Sequence, residues 1–213
     1  MEQQPVETTV YSLSDSPPEQ PGERREGTRY LTLYRVGSIE IGDRRELCLI
    51  KNISGGGMRI RAYSPVEIGA RVSIELKCGV PIVGQVGWVK DADAGIVFDE
   101  VIDILDLLNA SFKGTKPRMP RVEIDCVLSL REGANHYRVK ACDISQGGVK
   151  VACETVLQPG CDIVATLPGL APIAGVVCWS EGGFMGLTFN CPIPLEMLVT
   201  WIRSRHERTR TTH

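Results

Sequence analysis

Asn52-Ile53-Ser54-Gly55-Gly56-Gly57 is written twice in this chain, since Asp143-Ile144-Ser145-Gln146-Gly147-Gly148 follows 91 residues later. Each copy sets an amide or carboxyl side chain, one apolar residue, a hydroxyl and then glycines between two runs of alternating apolar residues. Strand side chains alternate between faces, so the Asn/Asp and the Ser two positions on share one face. Glycines there permit a positive φ, or close approach by another backbone or a flat ligand. The product is a small platform with one polar fork on it. For a single copy, an Asx-type turn with no ligand accounts for the same residues.

The spacing holds far beyond the motif. Trp88 and Trp179, Phe98 and Phe189, Pro81 and Pro172, Gly84 and Gly175, Gly95 and Gly186, and Ile102 and Ile193 all stand 91 apart, with no gap from Asn52 onward. Upstream, Arg29 precedes Asn52 by 23 residues and Arg121 precedes Asp143 by 22, a slip of one that a hairpin loop would absorb. Such a repeat means two versions of one domain.

A length of 213 residues accommodates two domains of about 90–100 residues, each with a modest core. The hydrophobic fraction of 43% is that of a soluble globule. A net charge of −2 and a pI near 6.0 argue against holding long nucleic acid by bulk electrostatics, so any anion site must be local. The eight cysteines show no metal spacing, and Cys48, Cys126, Cys142 and Cys178 fall inside strand-like runs as small hydrophobes. With no signal peptide and no apolar run near 18 residues, the expectation is a cytoplasmic chain with reduced thiols and no membrane span.

Residues 1–23 are rich in Gln, Glu, Pro and Ser and read as a disordered arm. The first domain is expected over 24–110, a linker over 111–116, the second domain over 117–204 and a frayed tail over 205–213. Tyr30 to Val36 reads as strand and Gly37 to Arg45 as a turn-bearing connection. Further strands are expected at 47–53, 58–62, 72–76, 80–89 and 95–98, with Asp91-Ala92-Asp93 as a turn. Six short strands with glycine turns favour an all-β, six-stranded barrel. Ile102, Leu105 and Leu108 have helical spacing, as do Leu195, Leu198, Val199 and Ile202 after Pro194, so each barrel is expected to end in a short α-helix. Trp88 and Trp179 lie in apolar strands at matched positions, which favours core packing over base stacking.

Arginines give the platform a purpose. Arg25 and Arg29 are separated by three residues just ahead of the first strand, with Arg24 adjacent. A guanidinium fork matches a phosphate or the O6/N7 edge of guanine, and its flat face stacks on a base. A glycine-floored platform under a flexible arginine clamp suits a guanine nucleotide with several phosphate oxygens.

Together these residues resemble the PilZ family of cyclic di-GMP receptors, whose pattern is R-x-x-x-R followed after one hairpin by [D/N]-x-S-x-x-G. The resemblance covers about residues 24–110 and 117–203. It implies two six-stranded PilZ-type barrels in tandem, with cyclic di-GMP as ligand rather than as cofactor. Carried over, it implies that Arg25 and Arg29 grip guanine edges and phosphates, with Arg24 adding a contact. Asn52 and Ser54 would bond a guanine on the strand, while Gly56 and Gly57 leave the base room. It also implies an arginine loop that orders over the ligand and repacks the domains, acting on a protein partner that the sequence does not name.

The second copy departs from the pattern. Arg121, Asp143, Ser145 and Gly148 match it, but Pro117 stands where the first arginine belongs, with Lys116 and Arg118 beside it. Proline offers no fork and stiffens the loop. Binding is therefore expected mainly at the first domain, with Arg118, Arg121, Asp143, Ser145 and Gly148 as a degenerate second site. The rival reading is a ligand-free tandem adaptor acting through protein contacts. No Ser/His/Asp set, glycine loop entering a helix or acid–base pair stands out, so no enzyme and no metal site are expected.

Overall fold

The computed structural model describes residues 29–76, 80–107, 119–155 and 157–210, with side chains placed from 32 to 205 within those segments. The first domain holds β1 (Arg29–Ile41), β2 (Arg44–Ser54), β3 (Gly57–Arg61), β4 (Arg71–Glu75), β5 (Pro81–Lys90) and β6 (Asp93–Phe98). They close antiparallel in the order β1-β2-β3-β6-β5-β4. The second domain holds β7 (Val122–Glu132), β8 (Asn135–Ser145), β9 (Gly148–Ala152), β10 (Asp162–Thr166), β11 (Ile173–Glu181) and β12 (Phe184–Phe189). These close in the equivalent order, β7-β8-β9-β12-β11-β10.

Alternation is what buries one face of each strand. In β7, Val122, Ile124, Cys126, Leu128 and Leu130 point inward while the residues between them are exposed. Ile39, Ile50, Ile53, Ile60 and Ile74 fill the first barrel, each worth about 2 kcal/mol of burial. A barrel of six strands is plugged by its own side chains. Whatever binds must therefore lie on the outer face or at a rim.

Expectation and structure differ at several places, three of which concern strands, connections and the first helix. The connection placed at Gly37–Arg45 is mostly strand, and only Gly42-Asp43 turns, with Gly42 at φ 58. Gly133 repeats it at φ 55. The one-residue slip lies not in that hairpin but in β1, where the register steps between Arg29↔Ser54 and Leu31↔Ile53. A bulge absorbs the extra residue at lower cost than a longer two-residue turn would. The third difference is the helix after the first barrel, α1, described over residues 104–107. Asp103 caps it, its Oδ1 accepting from the N–H groups of Leu105 (2.8 Å) and Asp106 (3.1 Å). Ile104 is the buried residue and Leu105 faces out, so the helix is rotated from the expected Ile102/Leu105 face; Leu108 lies outside the described residues.

After the second barrel, α2 (Leu195–Arg210) buries Leu198, Val199 and Ile202 as expected, and also Trp201, whose Nε1 donates to the Pro168 carbonyl at 2.9 Å. Its backbone stays helical past the boundary expected at Ser204. Among the described residues no helix is long and apolar enough to cross a membrane. The barrels touch: Leu47 of β2 is buried within the second barrel's apolar cluster, with Val36 and Tyr63 packed against it. Arg203 of α2 donates to the Tyr63 carbonyl at 2.9 Å.

Candidate functional site

Register assembles the site. Asn52 pairs with Thr32 on one side and Arg59 on the other, Arg59 pairs with Gly95, and Gly95 with Trp88. Directly opposed residues point to the same face, so one row crosses the outside of the first barrel from Thr32 to Trp88. A second row runs beside it, from Arg29 through Ser54 and Gly57 to Val97. Asn52 and Ser54 are half-buried on this face while Ile53 between them points into the core. The backbone of Arg29 thus starts β1 beside Ser54. Its side chain, and Arg24 and Arg25 altogether, lie outside the described residues.

The serine and the last glycine have structural duties in both copies. Ser54 Oγ donates to the Gly57 carbonyl at 3.1 Å, and Ser145 Oγ to the Gly148 carbonyl at 3.3 Å, each closing the tight turn of its motif. A hydroxyl has one proton to give, so Ser54 retains only acceptor capacity for anything on the face. Gly57 lacks room for a side chain because a Cβ would sit 2.5 Å from the Ile96 carbonyl oxygen. Gly148 is held still closer to the Leu187 carbonyl. Gly56, by contrast, faces open space.

Beside Asn52 lies a charged group that the sequence left undetected. Asp93, expected in a turn, is the first residue of β6 and is nearly buried. Lys51 Nζ lies 2.7 Å from its Oδ1, the Nε of Arg59 donates to its Oδ2 at 3.1 Å and Arg59 Nη2 bonds it too, and Arg61 Nε stands 3.8 Å away. Burial pushes the Asp93 carboxyl up, but the hydrogen bonds from Lys51 and Arg59 outweigh it and hold the group below its ordinary value of 3.8. A depressed carboxylate stabilises the fold above its unfolded pKa and loses that contribution as pH falls through the lower folded value. Asp93→Asn is thus expected to cost about 2 kcal/mol at neutral pH. Denaturant titrations from pH 7 to 2 should show the gap to wild type closing only below about 3.8.

The second barrel repeats the row as Glu123, Asp143, Lys150, Gly186 and Trp179. Here Arg121 and Asp143 are brought together, but on each other: Arg121 Nη1 is bonded to Asp143 Oδ1. One nitrogen of the Arg121 fork is thereby committed to one oxygen of the Asp143 carboxylate. Ser145 is buried; Arg118 lies outside the described residues.

Trp88 and Trp179 are not in the cores. A bulge precedes each, between Val86 and Trp88 and between Val177 and Trp179, and turns the indole outward. Each is 42% exposed and lies flat over its cross-strand glycine, Gly95 or Gly186, where a Cβ would strike the ring. The paired Trp and Gly at the same offset was the available signal; strict alternation hid it. Among the described residues no cluster of His, Cys, Asp and Glu is placed to hold a metal ion. A hollow of about 280 Å³ in the second barrel, lined by Leu170, Pro172, Cys191, Pro192 and Met197, is apolar and includes none of the motif residues.

No curated protein matches the chain. Among solved structures, the PlzA protein of Borreliella burgdorferi in complex with c-di-GMP is 14% identical, covering 83% of this chain and 93% of its own, with a TM-score of 0.36. YcgR from Escherichia coli in complex with c-di-GMP is 13% identical over 84% of this chain and 89% of its own, with a TM-score of 0.35. The Bacillus subtilis inhibitor of motility, MotI/DgrA, is 15% identical over 84% of this chain and all of its own, with a TM-score of 0.33. The PilZ domain model matches residues 23–111 and again 115–208. By that double match, which takes in the whole of both barrels, the chain belongs to the PilZ domain family.

Proposed function

We propose that the protein is a cyclic di-GMP receptor that binds its ligand on the outer face of the first barrel and transmits the signal by repacking its domains. One observation carries the reading: β1 begins at Arg29 directly opposite Ser54, so the backbone of the second arginine of R-x-x-x-R stands beside the polar fork of Asn52 and Ser54. Asn52 reads a guanine edge, Ser54 accepts, Trp88 and Val97 offer apolar floor, and Arg25 and Arg29, with Arg24, close over the phosphates. Family membership and the cyclic di-GMP held by the PlzA and YcgR structures point the same way. Ordering of the arginine segment alters the strand that carries Val36 into the contact with the second barrel. The output is a cytoplasmic protein partner, and the role is binding rather than catalysis.

Calorimetric titration of the full chain with cyclic di-GMP, GTP and cyclic di-AMP tests the proposal. Saturable binding of cyclic di-GMP in preference to the other two is expected, with a stoichiometry set by the first barrel alone. Indifference to all three would leave the adaptor reading in its place.

A further inference from the structure

We infer that Lys51, Arg59 and Arg61, gathered around Asp93 on the outer face of β2, β3 and β6, form a seat for the phosphodiester groups of the bound nucleotide, a seat that the second barrel lacks. The inference rests on the receptor reading above and adds residues outside both motifs.

Placement comes first. Lys51 is the residue before Asn52, and Arg59 is the direct cross-strand partner of Asn52. Arg59 also pairs with Gly95, over which Trp88 lies. A ligand seated on Asn52 is therefore flanked by this group.

Charge comes second. Three cations share one carboxylate, and among the described residues no other carboxylate lies within ion-pair distance of them. Two positive charges are left unmatched, which is the charge that two phosphodiesters bring. A cluster serving stability alone would gain little from the second and third cation, because they repel one another.

Preorganisation comes third. Arg59 spends its Nε and Nη2 on a single Asp93 oxygen, so Nη1 is turned to neither. The side chains of Arg59 and Arg61 are 47% and 42% exposed although tethered. Asp93 is thus a positioning residue. It holds long cationic side chains in place before the ligand arrives, which lowers the entropy lost on binding.

The second barrel supplies the contrast. At the same offset of 91 residues, Lys51, Arg59, Arg61 and Asp93 are replaced by Cys142, Lys150, Ala152 and Phe184. One cation remains there, resting 4.3 Å from the centre of the Phe184 ring. The barrel with a full R-x-x-x-R also has the seat, and the barrel that lost it has none.

The test is calorimetric titration of the full chain with cyclic di-GMP at two salt concentrations. The variants are Arg59→Gln, Lys51→Gln and Arg59→Lys, with Arg44→Gln as a control at the far hairpin, where Arg44 pairs with Glu46 at 3.5 Å. Arg59→Gln and Lys51→Gln should each weaken binding by about 10-fold or more and flatten its salt dependence. Arg59→Lys should fall between, and Arg44→Gln should match wild type. Thermal melts accompany each variant; if Arg59→Gln does not fold, Lys51→Gln and Arg59→Lys carry the comparison. If wild type binds and both Gln variants keep its affinity and salt dependence, the seat is overturned and the receptor reading stands. If wild type does not bind, the receptor reading fails and the seat falls with it.

Discussion

Gly57→Ala in the first barrel and Gly148→Ala in the second are each expected to cost about 3 kcal/mol and to lower the melting temperature of their own barrel by roughly 15 °C. The cause is a backbone contact. A Cβ on Gly57 would meet the Ile96 carbonyl oxygen at 2.5 Å, and one on Gly148 would meet that of Leu187 more closely still. Those carbonyls belong to the strands paired with β3 and β9, and the pairings Gly57↔Val97 and Gly148↔Thr188 fix the distance. A flexible side chain would swing aside, whereas a carbonyl in a closed ladder moves only if the barrel opens. Gly56→Ala, with nothing within 4 Å, is the control and should stay within about 0.5 kcal/mol of wild type. Calorimetric melting of the three variants decides it. Equal stability of Gly57→Ala and Gly56→Ala would show that β3 and β6 are not packed as described. If the expected loss is found, failure of a Gly57 variant to bind ligand would reflect a spoiled fold rather than a missing contact.

Arg29→Ala should lower the affinity for cyclic di-GMP about 100-fold, as should Arg25→Ala, while Arg121→Ala in the second barrel leaves it unchanged. The size follows from the bonds at stake. Hydrogen bonds from a charged group contribute about 1.5–3 kcal/mol each, and a guanidinium on a phosphate or a guanine edge makes two at once. The asymmetry follows from geometry. Arg121 is already bonded to Asp143, so a ligand arriving at the second barrel must first break a part-buried ion pair. Titrations of the three full-length variants are the measurement. Binding that survives Arg29→Ala and disappears with Arg121→Ala would reverse the assignment of the two barrels.

The fold was legible because both copies kept the same length. An offset that holds from Asn52/Asp143 to Ile102/Ile193 lets one pattern of alternation be checked against the other, and the same six strands emerge twice. The placement of Asn52 and Ser54 on one face was legible for the same reason. The slip of one ahead of the motif announced an extra residue in the first copy, but not its place at Tyr30, and the bulges that turn Trp88 and Trp179 outward were not legible in the alternation. Nor was the Asp93 group, because its members are far apart in sequence and meet only once β3 and β6 are neighbours. A short Asp-Ala-Asp run reads as a turn until the strand order makes its last residue the anchor of three cations.

The outward indoles have a practical consequence. Of the three tryptophans, Trp88 and Trp179 occupy matching places on the two outer faces, and Trp201 is buried on the inner side of the final helix. A chain retaining only Trp88 would report by its emission spectrum on the first face, one retaining only Trp179 on the second, and one retaining only Trp201 on helix docking. Duplication has given each half its own optical sensor, so a change on either face can be followed in the intact chain without any added dye.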